Sequence, residues 1–215
     1  MSEAEPLTID VVSDVVCPWC YLGEKRLAAA LEGEGPVVVR WRPYQLDPTI
    51  PPDGFDRVQY MERKFGGGGR LKEVHDRLVA LGREADVPFA FDRIGRAPNT
   101  LDAHRLIRWA ASTGAQGKVV DRLFRAYFVE GRDIGDRRVL VEVATECGLD
   151  GDLVARLLDE GADVKAVQRE IAEAQAIGVT GVPFFIIAGR LGVSGAQEVD
   201  VLKRAIAQGR AEARA

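Results

Sequence analysis

The chain has 215 residues, of which 47% are hydrophobic and 29% are charged, and its formal net charge is −4. This length suffices for one large domain or for one domain inserted into another, and the composition is that of an ordinary globular protein. The negative charge gives no electrostatic reason to expect nucleic acid or an anionic membrane as a partner. The apolar runs are too short to span a bilayer.

The N-terminal sequence M-S-E-A-E-P-L-T is acidic and has neither the basic nor the apolar region of a secretory signal. Taking this start as the native one, we expect a cytoplasmic protein. Three cysteines in a cytoplasmic protein of this size do not form a disulfide scaffold. A closely spaced cysteine pair therefore predicts catalysis, redox chemistry or metal binding.

The first part of the chain predicts a strand, a helix and a second strand. Residues 7–16 are rich in β-branched side chains, which favour a strand. Apolar residues then recur at helical spacing from Pro18 to Leu31, and the run Val37–Leu46 predicts the second strand. Two strands joined by a helix within about 40 residues form a βαβ unit, with a parallel pair and a right-handed crossover.

The middle of the chain has helical periodicity from the end of the proline-rich segment Asp47–Gly54 to about Gln175. Glycine and proline separate its segments. The predicted helices are Arg57–Phe65, Arg70–Ala85, Thr100–Ser112, Lys118–Glu130, Asp136–Glu146, Leu153–Leu158 and Asp163–Ile177.

The last forty residues predict two strands, Pro183–Ala188 and Leu191–Ser194, and a closing helix, Val199–Ala213. The order βαβ, helical insertion, ββα predicts an α/β protein with the thioredoxin fold. We expect a thioredoxin-like domain from residues 1–55 and 176–215, and an inserted all-helical domain from residues 56–175.

The motif C-P-W-C places Cys17 and Cys20 at the predicted junction between strand and helix. Backbone N–H groups at a helix start have no intrahelical partner, and together with the helix dipole they stabilise a thiolate on Cys17. Such a thiolate attacks a substrate disulfide, and the second cysteine then attacks the mixed disulfide and releases the product. We therefore predict a redox-active dithiol.

Metal binding is the main alternative for this pair. A structural zinc site needs four ligands, but the remaining candidates are Cys147 and two distant histidines, His75 and His104. No metal site is therefore predicted. Val139, Leu140, Val143, Ala144 and Cys147 share one helical face, which indicates a core position for Cys147 and leaves a second redox centre as the alternative.

The segment G-V-T-G-V-P-F-F-I-I, Gly178–Ile187, places Pro183 at the start of a predicted strand. A proline is tolerated there because no ladder N–H is needed. It is either a loop proline before an edge strand or a cis proline at the Val182–Pro183 bond.

These motifs together resemble the DsbA family of thiol-disulfide oxidoreductases. The segments S-D-V-V-C-P-W-C-Y-L-G, W-R-P-Y-Q-L-D-P, D-A-H-R-L-I, L-F-R-A-Y-F-V-E-G-R-D-I and V-S-G-A-Q are similar to its cytoplasmic FrnE-like branch. The resemblance implies that Cys17 is the nucleophile and Cys20 the resolving cysteine. It also implies that Pro18 and Trp19 tune the pair, and that Val182–Pro183 is a cis-proline loop facing the substrate.

Two positions depart from the family pattern. Periplasmic members typically have histidine where Trp19 stands, and tryptophan brings no positive charge to a thiolate. We therefore expect a less oxidising pair. Related folds also carry a buried acid about six residues before the nucleophile, where this chain has Val11, with Asp10 and Asp14 nearby.

The resemblance extends to 2-hydroxychromene-2-carboxylate isomerases and kappa-class glutathione transferases, which generally have serine where Cys17 stands. It implies an alternative function as a glutathione-dependent isomerase or transferase, with Asn99, Ser194 and Gln197 as candidate binding residues. The simpler roles are an N-cap for Asn99, and a strand end and helix cap for Ser194–Gln197. A redox-sensing binding module would have the same sequence features.

For the redox function we expect no tightly bound cofactor. The expected partners are protein or small-molecule thiols and disulfides, with glutathione as the small thiol.

The remaining motifs predict less. His104 is expected to have a packing or capping role, and Gly66–Gly69 lack the G-K-[ST] ending of a phosphate loop and predict a flexible connection.

Overall fold

The computed structural model of the protein describes residues 5–66 and 69–213. The elements in chain order are β1 (Leu7–Ser13), α1 (Pro18–Leu31), β2 (Val37–Pro43), β3 (Phe55–Asp56), α2 (Arg57–Phe65), α3 (Arg70–Glu84), β4 (Arg96–Ala97), α4 (Leu101–Ala110), α5 (Gln116–Phe128), α6 (Arg137–Glu146), α7 (Gly151–Asp159), α8 (Val164–Ala176), β5 (Phe184–Ile187), β6 (Leu191–Ser194) and α9 (Val199–Ala213). The prediction of βαβ, helices, then ββα is confirmed.

The main sheet has four strands in the order β2-β1-β5-β6. β1 pairs with β2 in parallel, whereas the β1–β5 and β5–β6 pairs are antiparallel. The sheet therefore combines strands from both ends of the chain, and the long helical segment connects β2 to β5 in the sequence. This arrangement is the thioredoxin fold with a helical insertion.

β1 lies at the centre of the hydrophobic core and is covered on both faces. Ile9 and Val11 belong to the main apolar cluster, which includes both cysteines of the C-P-W-C motif. Val12 belongs to a second cluster with Ala174 and Val179. Burial on both faces explains why the successive residues Val11 and Val12 are both apolar and both buried.

The prediction that the insertion is all-helical needs one correction. Phe55–Asp56 and Arg96–Ala97 form a two-residue antiparallel ladder within it. Gly54 has φ +69°, and a Cβ there would lie 2.8 Å from the carbonyl oxygen of Ala97. The ladder is too short to show the alternation that predicts a strand.

The ends of several elements differ from the predictions. β1 ends at Ser13, three residues early, because the chain turns there and the amide of Cys17 donates to the carbonyl oxygen of Asp14 at 2.9 Å. α1 begins at Pro18, as predicted, where a missing N–H costs nothing. Gly66 follows α2 and Gly69 precedes α3, while Gly67 and Gly68 lie outside the described residues.

Among the described residues, each helix is too short or too polar to cross a bilayer.

Candidate active site

The two cysteines of the C-P-W-C motif occupy different environments at the start of α1. Cys17 is the N-cap residue, and Cys20 lies in the first turn of the helix. Both are free thiols and both are buried, with 4% of Cys17 and 1% of Cys20 exposed. Cys17 nevertheless forms part of the wall of a cavity, which Cys20 does not reach. An incoming disulfide in this cavity therefore meets Cys17 first.

The Val182–Pro183 loop lies directly against this pair. The Cys17 thiol donates a hydrogen bond to the carbonyl oxygen of Val182, with 3.7 Å between sulfur and oxygen. The Val182–Pro183 peptide bond is cis. Gly23 allows this close approach, because a Cβ at that position would lie 2.9 Å from Cγ of Pro183.

The environment of Cys20 favours its protonated form. Burial raises the pKa of the Cys20 thiol well above its ordinary value of 9.0, and the hydrogen bond and charge of Cys17 raise it further. The hydroxyl of Ser13 and the backbone at Asp14 act in the opposite direction. Cys20 is therefore protonated at neutral pH.

This raised pKa predicts a pH effect on the stability of the reduced protein. Above pH 9 the unfolded state loses the Cys20 proton that the folded state keeps, so the stabilisation is complete below pH 9 and is lost as the pH rises towards the folded-state pKa. Between pH 8 and 10 the reduced wild type should lose about 1 kcal/mol more unfolding free energy than reduced Cys20→Ala.

Urea denaturation at several pH values, with a reductant present, measures this difference. A difference in unfolding free energy that is the same at every pH reflects the lost packing of the Cys20 thiol. Parallel stability curves from pH 8 to 10 would contradict the raised pKa.

The cavity in front of Cys17 has a volume of about 650 Å³. Its lining includes Cys17, Pro18 and Trp19 of the motif, Val182, and many residues of α2 and α3. Its polar and charged lining residues are Asp14, Asp47, Arg57, Tyr60, Lys64, Arg70, His75, Thr100 and Tyr127, and its aromatic lining includes Trp19, Phe65, Phe91 and Phe128. The volume is within the usual range of small-molecule sites.

Trp19 lines the cavity and lies beside a positively charged side chain. The guanidinium of Arg77, on α3, lies 5.7 Å from the centre of the indole ring. The helical segment thus brings a positive charge to the motif, through a cation–π contact. The tryptophan alone predicts a less oxidising pair, and the charge of Arg77 acts against that effect.

A buried polar pair lies behind the motif. Asp14 accepts a hydrogen bond from the amide of Leu46 at 2.8 Å, and its other carboxylate oxygen lies 3.3 Å from Nε2 of His104. Nε2 is also 2.8 Å from the carbonyl oxygen of Tyr44, so it carries a hydrogen. His104 therefore joins the end of β1 to the loop after β2, in accordance with its predicted packing role.

The three weaker binding candidates lie outside the cavity wall. Asn99 connects two loops: its amide donates to the carbonyl oxygen of Ile50 at 2.6 Å, and its oxygen accepts from the amide of Leu101 at 2.9 Å. The carbonyl oxygen of Ser194, the last residue of β6, accepts a hydrogen bond from the side chain of Gln197 at 2.8 Å. Asn99 therefore joins its own loop to the loop at Ile50, and Ser194 and Gln197 bond to each other.

The prediction that Asn99 is the N-cap of this helix is wrong by one residue: α4 begins at Leu101 and its N-cap is Thr100, although the Asn99 side chain accepts from the amide of Leu101. Cys147, at the end of α6, is buried, as predicted, and its thiol donates to the carbonyl oxygen of Lys118.

Sequence reasoning missed the residues that α2 and α3 contribute to the cavity. These are Arg57, Tyr60, Lys64, Arg70 and His75, with Arg77 beside them. The available signal was the cationic character of both helices. That character is also typical of a solvated helix face, so it does not indicate a site without the fold.

A buried cysteine pair at the start of the first helix, facing a Val-Pro loop on the next strand of a thioredoxin-type sheet, defines a thioredoxin-fold protein with a vicinal dithiol. The family model described as DSBA-like thioredoxin domain matches residues 8–207. The chain belongs to this family.

Three solved structures illustrate the range of similar proteins. A probable DsbA oxidoreductase from Streptomyces coelicolor is 31% identical, with a TM-score of 0.87 over 96% of this chain and 91% of that one. The cytosolic disulfide reductase DsbM from Pseudomonas aeruginosa, with GSH, is 25% identical, with a TM-score of 0.63 over 97% and 98%. A 2-hydroxychromene-2-carboxylate isomerase is 17% identical and shares the fold, with a TM-score of 0.73 over 96% and 98%.

Proposed function

We propose that the protein is a thiol-disulfide oxidoreductase in which Cys17 attacks and Cys20 resolves. The observation that carries the proposal is the asymmetry of the pair: Cys17 reaches the cavity, whereas Cys20 is shielded behind it with a raised pKa. Membership of the DsbA-like family and the likeness to an oxidoreductase from Streptomyces coelicolor support it.

The reaction proceeds by two exchanges of sulfur partners. The Cys17 thiolate attacks one sulfur of a substrate disulfide, forms a mixed disulfide, and displaces the other half as a thiolate that takes a proton from water. Cys20 then loses its proton and attacks the sulfur of Cys17. The second half leaves as a thiol, the Cys17–Cys20 disulfide forms, and two electrons have passed from the protein to the substrate.

Substrate positioning is assigned to the Val182–Pro183 loop. The Val182 carbonyl lies beside the reacting sulfur, so an extended substrate chain can pair with the main chain there, in the manner of an added strand. In this proposal the thioredoxin-like domain, residues 1–55 and 176–215, supplies the dithiol. The inserted domain, residues 56–175, supplies the facing wall.

We further propose glutathione as the small thiol partner and the cytoplasm as the site of action. The support is the likeness to DsbM, a cytosolic disulfide reductase whose structure includes GSH. Trp19 and Pro18 set the potential of the pair, and with it the direction of exchange. The reaction uses only protein and substrate thiols, so no tightly bound cofactor takes part.

Two rates test the proposal. The first is the rate at which the protein catalyses the reduction of a disulfide with glutathione as the reductant. The second is the rate at which it converts a 2-hydroxychromene-2-carboxylate in the presence of glutathione. Disulfide turnover that depends on Cys17 supports the proposal. Isomerase turnover that survives Cys17→Ser would overturn it in favour of the glutathione-dependent isomerase alternative.

A further inference from the structure

Arg57, the first residue of α2, is a buried cation with an unusual set of partners. Three arginines are buried within residues 5–66 and 69–213, and two of them pair with carboxylates: Arg26 with Glu198 at 2.8 Å and Arg105 with Asp102 at 2.6 Å. Arg57 is 7% exposed and forms no such pair with any described residue. Its side chain donates one hydrogen bond, to the hydroxyl of Tyr127 at 3.2 Å.

Tyr127 does not compensate the charge of the guanidinium. Burial raises the pKa of its phenol to about 12, so the ring is neutral at physiological pH. The phenol donates its own proton to the carbonyl oxygen of Arg96 at 3.0 Å. Among the described residues, Arg57 therefore has one neutral hydrogen-bond partner and no carboxylate within ion-pair distance, although the residue is largely buried.

Arg57 is one of the residues that line the cavity containing Cys17. The two acidic residues of this lining form no ion pair with it. Asp14 accepts a hydrogen bond from the amide of Leu46, and Asp47 accepts from the hydroxyl of Tyr60 and the backbone of Thr49. Lys64 and Arg70 add further positive charge.

His75, which also lines the cavity, contributes no charge to it. Burial and the charge of Arg57 lower the pKa of its imidazole, which keeps the ring neutral at physiological pH. The cavity therefore presents an excess of positive charge, with an arginine at its wall whose hydrogen-bonding capacity is largely unused.

We propose that Arg57 binds a carboxylate of the substrate, and that the cavity therefore selects small anionic disulfides and thiols for exchange at Cys17. This proposal rests on the proposed function, because the selected molecule is the one that reacts with the dithiol. A guanidinium and a carboxylate match each other in shape and charge, and their hydrogen bonds are about twice as strong as neutral ones. The aromatic side chains of Trp19, Phe91 and Phe128, which also line the cavity, would pack against the uncharged part of the molecule.

Single-turnover rates with disulfides of different charge test this selection. The reduced protein is mixed with glutathione disulfide, which is anionic, with hydroxyethyl disulfide, which is neutral, or with cystamine, which is cationic. The wild type should prefer the anionic disulfide. Arg57→Gln should slow the anionic disulfide by about 10- to 100-fold, the loss expected for one charge-assisted interaction, and change the neutral one less than about threefold.

Two further variants separate binding from general electrostatics. Arg57→Lys keeps the charge but not the fork of donors, so its loss with the anionic disulfide should be intermediate. Arg63→Gln removes the same charge from the exposed face of the same helix. It lies outside the cavity wall and should change every rate less than about twofold.

Protection of Cys17 in the wild type tests the proposal even if Arg57→Gln does not fold. The measured quantity is the rate at which neutral iodoacetamide alkylates Cys17. S-methylglutathione, which cannot undergo disulfide exchange, should slow this alkylation, whereas the diethyl ester of S-methylglutathione should not. Equal protection by both compounds, or equal slowing of anionic and neutral disulfides in Arg57→Gln, would overturn the proposal. A reduced wild type that reacts with none of the three disulfides would instead refute the proposed function.

Discussion

Cys17→Ser should abolish disulfide exchange, whereas Cys20→Ser should leave the first attack intact and accumulate a mixed disulfide. A serine hydroxyl is not ionised at neutral pH and cannot form a disulfide, so the exchange rate should fall by at least about three orders of magnitude. In Cys20→Ser the cavity-facing thiol remains, but the group that releases the substrate is gone. Intact-mass measurement after mixing with glutathione disulfide distinguishes the two variants.

Cys147→Ser is the matched control, because this third thiol lies at the end of α6 and bonds to the backbone of Lys118. It should react at the wild-type rate. A glutathione adduct that forms on Cys20 in the Cys17→Ser variant would show that the roles are reversed. Adducts that require Cys147 would show that the third thiol takes part in the chemistry.

Asp14→Ala should lower the free energy of unfolding by about 3 kcal/mol. The carboxylate is 1% exposed, and its removal leaves the amide of Leu46 without its partner and takes one contact from Nε2 of His104. An unsatisfied buried polar group costs about 1–3 kcal/mol. The change should also slow exchange, since Leu46 lies in the loop that lines the cavity.

Asp10→Ala is the matched control on the preceding strand. Asp10 pairs with Arg40 across β1 and β2 at 3.0 Å, but Arg40 is largely exposed, so the loss should stay within about 1 kcal/mol. Urea denaturation of both variants at pH 7 measures the difference. Equal stability of Asp14→Ala and Asp10→Ala would contradict the structural role assigned to Asp14.

The dithiol and its surroundings were predictable because their signals are local. The β-branched run, Pro18 at the first helical position and the Val-Pro pair before β5 each indicate a structure within about ten residues. The order of these signals along the chain then specifies the fold. The ends of β1 and α4 were less predictable because single hydrogen bonds fix them, from Cys17 to Asp14 and from Leu101 to Asn99.

The cavity could not be predicted, because it depends on contacts between distant parts of the chain. In the sequence Asp14 is an acid out of register with Val11, and its contact with His104 joins residues 90 positions apart. Arg57 begins an unremarkable charged helix, and its hydrogen bond to Tyr127 joins residues 70 positions apart. No periodicity in the sequence encodes such a pair.

Cys17 and Cys20 should form a reversible disulfide. Equilibration of the protein with glutathione buffers of graded potential, followed by acid trapping and mass measurement, measures this pairing. We expect a single two-electron transition that joins Cys17 to Cys20, with Cys147 free and a potential more negative than that of a strongly oxidising DsbA, about −120 mV. A pair that stays reduced in every buffer, or a disulfide that includes Cys147, would contradict the assignment of Cys17 and Cys20 as a redox pair.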